Sequence, residues 1–333
     1  MRKLNQIYKN ENGSSNVLIV LSMTILISMV AMVVDFSTAY IKTSQTQTAA
    51  DAAVLAAGLY LPVKKTDLTR QSEIKNIAKS YLEKNGIINS SVDDVYFTNE
   101  NNGYYFSIGI NVSEASKTGF ARIMGINEIA FTRSAEACTL PCSSTSDTVP
   151  LGVKKTVLEN LIASGNTKHV ILKYGSKTND LGQGAFGAID LDGVKGGGAN
   201  DYSQWLENGY LGEINIGDVL PVESGNMSGP TYYAISKRYN SCTHFQSQGG
   251  CTAEHYASGC PRVMKVNVVE YLNNNKNVKI TGFAAFVLED YNTYQSTGCV
   301  VGSYVDMVNV GSEHGDTTGT AENYGVYSLA LSK

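Results

Sequence analysis

Residues 16–61, NVLIVLSMTILISMVAMVVDFSTAYIKTSQTQTAADAAVLAAGLYL, begin as an unbroken apolar run and end as a small-residue, half-polar one. No breaker intervenes before Gly58 and Pro62. Val17 to Val34 contains no charge, Gly or Pro, and as a helix it spans roughly 27 Å, close to the hydrocarbon thickness of a bilayer. The alternative is a cleaved secretory signal ending at the small residues Ser37, Thr38 and Ala39, but such apolar regions usually run about 7 to 15 residues. Beyond the run, Phe36, Tyr40, Thr43, Gln47, Ala50, Val54, Ala57 and Leu61 recur at spacings of four and three, which predicts a stripe on one face of a continuing helix. One helix thus leaves the membrane without stopping, with roughly 40 Å standing clear as a stalk. Alanines favour helix but bury little area, so the stripe must pack on this chain's own domain or on a neighbouring helix. Thr43, Gln47 and Asp51 are expected to face water, with choice of register as the functional alternative.

Charge orients the object. The chain carries −4 overall, yet Arg2, Lys3 and Lys9 against Glu11 make its first twelve residues positive. Positive flanks stay in the cytoplasm, so a single-pass protein with its bulk outside the cell membrane is expected. No Lys/Arg cluster is interleaved with aromatics, which argues against nucleic acid as a partner. The lipid bilayer is the first partner expected.

The rest divides into a cytoplasmic stretch 1–16, the membrane helix 17–34, the stalk 35–61, a small α+β domain 62–142, a linker 143–149 and a Gly-rich, mostly antiparallel β domain 150–333. The fold class is α+β. In the small domain, Asp67 to Asn85 reads as an amphipathic helix and VYFTNENNGYYFSIGINV as a hairpin about an Asn-Asn-Gly turn. Phe120 to Gly125 reads as one or two helical turns and Glu128 to Thr139 as a third strand. SSTSDT, residues 143–148, has nothing apolar to bury and reads as the linker. Short helices are expected at Lys155 to Ser164 and Tyr202 to Asn208.

Candidate chemistry is sparse. Cys138, Cys142, Cys242, Cys251, Cys260 and Cys299 all lie in the part placed outside. An even count in an oxidising compartment points to disulfides worth about 2 to 4 kcal/mol each, with 15 pairings open. The competing reading is zinc, because Cys242, His244, Cys251, His255 and Cys260 fall within CTHFQSQGGCTAEHYASGC, although the spacing matches no usual paired motif. Asp190, Asp192 and Asp201 frame a glycine-rich turn that lacks the ligand pattern of an EF-hand, leaving a cation or plain turn chemistry open. GVKGGGAND has no phosphate-loop frame, and no Gly-x-Ser-x-Gly elbow occurs. His169, His244, His255 and His314 are scattered, so no catalytic residue, resident cofactor or enzyme activity is expected.

The amino-terminal arrangement resembles the TadE/TadG-like proteins of the Flp (tight adherence) pilus assembly system. The matching elements are Gly13, Val33-Val34-Asp35, Tyr40 and Gln47-Thr48-Ala49-Ala50-Asp51-Ala52-Ala53-Val54-Leu55-Ala56-Ala57. The resemblance implies a membrane-anchored accessory in assembly of an adhesion pilus, with other pilus subunits or Tad assembly proteins as partners. Substrates of a prepilin peptidase carry Glu five residues after the cleaved glycine, whereas that place after Gly13 holds Leu18. An accessory role is therefore expected over that of a major pilin subunit. GAFGAIDLDG and ITGFAAFVLED look like stretches of longer TadG-like chains. The alternative function is a membrane-tethered extracytoplasmic module binding carbohydrate or protein, its surface ligand unknown.

Overall fold

The computed structural model describes residues 12–88, 92–175, 187–194, 198–223, 225, 227–257, 259–272, 275–309 and 322–332. Helix α1, Asn12–Gly58, is 47 residues long, which makes it about 70 Å. Its lower part is bare: from Val17 to Val34 every large apolar side chain is exposed. Water would not tolerate such a surface, and this is the one described helix long and apolar enough to cross a membrane. The polar groups within it are satisfied on the helix itself. Ser22, Thr24 and Ser28 donate to the carbonyls of Ile19, Val20 and Thr24 at 2.9, 2.7 and 2.8 Å. A bilayer cannot supply those partners.

The upper part of α1 is the spine of an α+β unit. After β1 (Val63–Lys64), helix α2 (Leu68–Lys84) starts on Asp67, whose side chain accepts the Arg70 N–H at 2.9 Å. Strands β2 (Val92–Asn101), β3 (Tyr104–Lys117) and β4 (Glu128–Pro141) form an antiparallel meander. Asn102 and Gly103, with φ of 50° and 79°, make the tight turn of the first hairpin. A 3-10 turn, Ala121–Met124, caps the second hairpin. The apolar face of this sheet, including Ile108, Ile110, Ala135 and Ala137, closes on Ala50, Ala53, Val54 and Ala57 of α1 and on Ile74, Ala78 and Leu82 of α2.

Next come β5 (Ser144–Thr145), β6 (Thr148–Lys154), α3 (Lys155–Ser164), β7 (Val170–Lys173), α4 (Gly198–Asn208), β8 (Ile214–Asn215), β9 (Val219–Pro221) and α5 (Ser228–Asn240). The chain ends with β10 (Val263–Leu272), β11 (Asn277–Leu288), α6 (Asn292–Thr297), β12 (Val300–Val305), β13 (Met307–Val308) and β14 (Val326–Leu331). The second sheet runs β6-β10-β11-β12-β7 with β9 beside β11, and only β6 lies parallel to its neighbour. Leu158, Leu206 and Ile235 of the helices pack with Val266, Val268 and Phe286 in one core, while Ile280, Phe283 and Val287 build another.

Two expectations change. Residues 143–148 are not a bare linker: Ser144, Thr145 and Thr148 are buried, β5 pairs with β8, and the Ser144 hydroxyl donates to Glu213 at 2.6 Å. Small hydroxyls can be buried once bonded, which an apolar count overlooks. The terminal strand β14 does not stay with the Gly-rich part either; it pairs antiparallel with β4 and extends the first sheet, with β13 parallel beyond it. Leu329 of β14 approaches α1 so closely that a Cβ on Gly58 would lie 2.6 Å from its Cδ1. Helix α5 has no counterpart in the sequence reading, because Gly229-Pro230 looks like a breaker. In the structure that pair sits in the first turn, where a missing N–H costs no intrahelical bond.

Candidate functional site

The predicted stripe on α1 divides. Ala50, Val54, Ala57 and Leu61 are buried against the first sheet and α2, whereas Phe36 and Tyr40 are 60% and 76% exposed. Lower down, the face turned to the domain is Ala31, Asp35, Ala39 and Thr46. The sheet comes so near the helix that only small side chains fit between them, and the aromatic residues are left on the outer side. Gln47, expected to face water, is half-buried and donates to the Ser134 carbonyl of β4 at 3.1 Å and to Asp51 at 2.8 Å. Lys42 adds a bond to the Ala115 carbonyl at 2.6 Å and an ion pair with Glu114 at 2.7 Å. These polar contacts set the register of helix on strand.

Asp35, at the end of the apolar run, is the tightest of these clamps. Its carboxylate accepts the N–H groups of Gly119, Phe120 and Ala121 at 2.7, 3.0 and 2.6 Å, and only 4% of the residue is exposed. Three successive amides converging on one carboxylate hold the β3–β4 tip against the helix. That tip is oily. Phe120, Ile123, Met124 and Ile126 are all exposed, and Phe120 helps line an apolar cleft of about 260 Å³ with Leu26, Ile27, Val30, Ala31 and Val34.

The six cysteines fall into separate places. None of the six is in a disulfide among the described residues. Cys138 is half-buried at the end of β4, while Cys142 and Cys299 are buried elsewhere. Cys242, Cys251 and Cys260, however, come together with His244. Burial opposes ionisation of Cys242, but the Cys251 backbone N–H, the Cys260 thiol and His244 outweigh it and bring the thiol down to about 6. Burial, joined by the adjoining thiols, pushes Cys260 up to about 12. His255, which lies between Cys251 and Cys260 in sequence, instead faces Thr252 at 3.2 Å and the Phe245 ring.

Asp190 and Asp192 share a hydrogen bond, and Asp201 lies in the first turn of α4. No further ligand joins them among the described residues. Burial, the bond to Asp192 and the charges of Asp192 and Glu223 push Asp190 up to about 6, against a partial pull down from the Gly193 N–H. Between 3.8 and about 6 the folded chain therefore holds a proton that the unfolded chain has lost. This contribution to stability is complete at low pH and disappears as pH rises through 6. Asp190→Asn should raise the thermal midpoint at pH 7.5 and not at pH 4, as followed by circular dichroism; an equal shift at both would exclude the assignment.

His169 bonds the Glu289 carboxylate at 2.6 Å, and Ser303 donates to the same carboxylate at 2.7 Å. The serine is bound to the acid rather than to the imidazole, which is not a nucleophile–base pair. The His314 position lies outside the described residues.

Fold and site together define a class: an α+β protein hung on one helix whose base suits lipid and whose upper turns form part of its own folded core. Residues 13–59, nearly the whole of that helix, match the Tad family model, described as Flp pilus-assembly TadE/G-like. The Tad-like segment supports a role in Flp pilus assembly. No curated protein and no solved structure matches the chain.

Proposed function

We propose that the chain is a membrane-anchored, pilin-like accessory protein in assembly of a Flp/Tad adhesion pilus, acting by helix packing and display of its outer domains. The observation that carries this reading is the division of α1. Its Ala face is occupied by its own sheet, while Phe36, Tyr40 and Ile41 remain open just above the apolar run. A second long helix meets the chain on that open side. The amino terminus is cytoplasmic and the domains lie outside, with the tip at Phe120, Ile123 and Met124 seated in the interfacial layer of the membrane. The work asked of the chain is positioning, and no chemistry is assigned to it.

A photo-crosslinking residue at Tyr40 should trap another pilus subunit or Tad assembly protein in pilus-bearing cells, and one at Val54 should trap none, since Val54 is fully buried. Monomer alone from the Tyr40 position would overturn the proposal. One observation favours the second reading, a tethered binding module: a cleft of about 350 Å³ of mixed polar and apolar lining, with Lys168, His169, Glu254 and Glu289 beside Tyr239 and Leu288.

A further inference from the structure

Residues 241–262 form a long excursion between α5 and β10 that contains only one short 3-10 turn, Gln246–Gln248, among its described residues. Loops of this length inside a domain need something to organise them. An apolar core does not serve, because the buried members of the cluster here are Cys242, Cys251 and Cys260. Phe245 holds a left-handed φ of 50°, and Gly249 and Gly250 follow at 84° and 92°. Such a conformation in a non-glycine residue persists only where its surroundings dictate it.

The chain brings four donor atoms to one point. The sulfurs of Cys242, Cys251 and Cys260 and a ring nitrogen of His244 all lie within 4.8 Å of one another, and the Cys242 and Cys260 sulfurs are 3.4 Å apart. A tetrahedral ion with Zn–S bonds of about 2.3 Å requires S···S edges of about 3.8 Å, so closure needs only small movements. Nδ1 of His244 is independently telling, since it is buried and has no hydrogen-bond partner. A disulfide could consume two of the thiols but would leave the third and the imidazole without a purpose. A metal ion uses all four.

We propose that Cys242, His244, Cys251 and Cys260 form a structural Cys₃His zinc site that orders residues 241–262 and ties α5 to the start of β10. The surroundings suit a thiolate-rich ion. The N–H groups of Cys251 and Arg262 face the sulfurs of Cys242 and Cys260. Three thiolates and one Zn²⁺ leave a net charge of −1, and the buried Arg262 guanidinium stands beside them. Arg262 is held by the carbonyls of Gly249 and Cys251 at 3.2 and 3.3 Å and stacks 3.6 Å from the centre of the Tyr239 ring. Four protein ligands close the coordination sphere and leave no position for substrate, so the ion is structural.

The test uses the full-length chain purified from membranes without reductant. Mass spectrometry for metals should find about one zinc per chain, and a chelator alone should expose three further thiols to a thiol reagent. Cys251→Ser and His244→Ala should lower bound zinc at least tenfold, whereas Cys138→Ser and Cys299→Ser should leave it unchanged and His244→Cys should retain it. Cobalt in place of zinc should give the visible bands of tetrahedral thiolate coordination. Background zinc together with thiols that appear only after reduction would overturn the site in favour of a disulfide; iron in zinc's place would overturn the assignment of the metal. Both measurements on the unaltered chain decide the matter even if a variant fails to fold.

Discussion

An Asp35→Ala chain is expected to keep both sheets and to lose its hold on the β3–β4 tip. The carboxylate accepts three backbone N–H groups, and hydrogen bonds to an ionised acceptor are among the stronger ones. Water reaches a released tip and offsets part of the loss, so the effect is local to the tip. Hydrogen exchange at the amides of Gly119, Phe120 and Ala121 should then accelerate about a hundredfold, with little change in Ile108 or Ile110. Asp35→Asn keeps one oxygen and should fall between. Unaltered exchange in the alanine variant would show that the tip is held by Phe120 against the helix and not by the carboxylate.

Ala53→Leu is expected to have the largest effect on the fold. Ala53 is fully buried where α1 crosses the first sheet, and its neighbours Ala49, Ala50, Val54 and Ala57 are in the same core. Three added carbons have no space there, and overpacking costs about 1 to 3 kcal/mol, or more where a backbone must move. The helix backbone is the part that must move, taking with it the register set by Gln47 and Lys42. The thermal midpoint of the purified protein should fall by about 5 °C or more. Ser44→Leu on the exposed side should leave it unchanged, and equal losses from both would sink the idea of a close-packed alanine face.

Much of this was legible along the chain. The apolar run, the Ala-rich continuation, the hairpin at Asn102-Gly103 and the helix beginning at Asp67 all depend on neighbours in sequence, and the structure has them at Asn12–Gly58, Val92–Lys117 and Leu68–Lys84. The side of the stalk that packs was harder. Periodicity alone favours bulky residues such as Phe36 and Tyr40 for the contact, but close approach of helix and sheet selects small ones. Asp35 looked like the polar end of a membrane span, because its amide partners lie more than eighty residues away.

The solvent that each stretch of α1 demands can be read from its residues alone, since hydrophobicity is a sum over side chains and needs no partner. Tertiary structure alone decided which face of that helix is used, that β14 returns to β4, and that three cysteines and one histidine meet in space. Each of these depends on distances between residues remote in sequence, and such distances are set by how the sheets and helices close on one another.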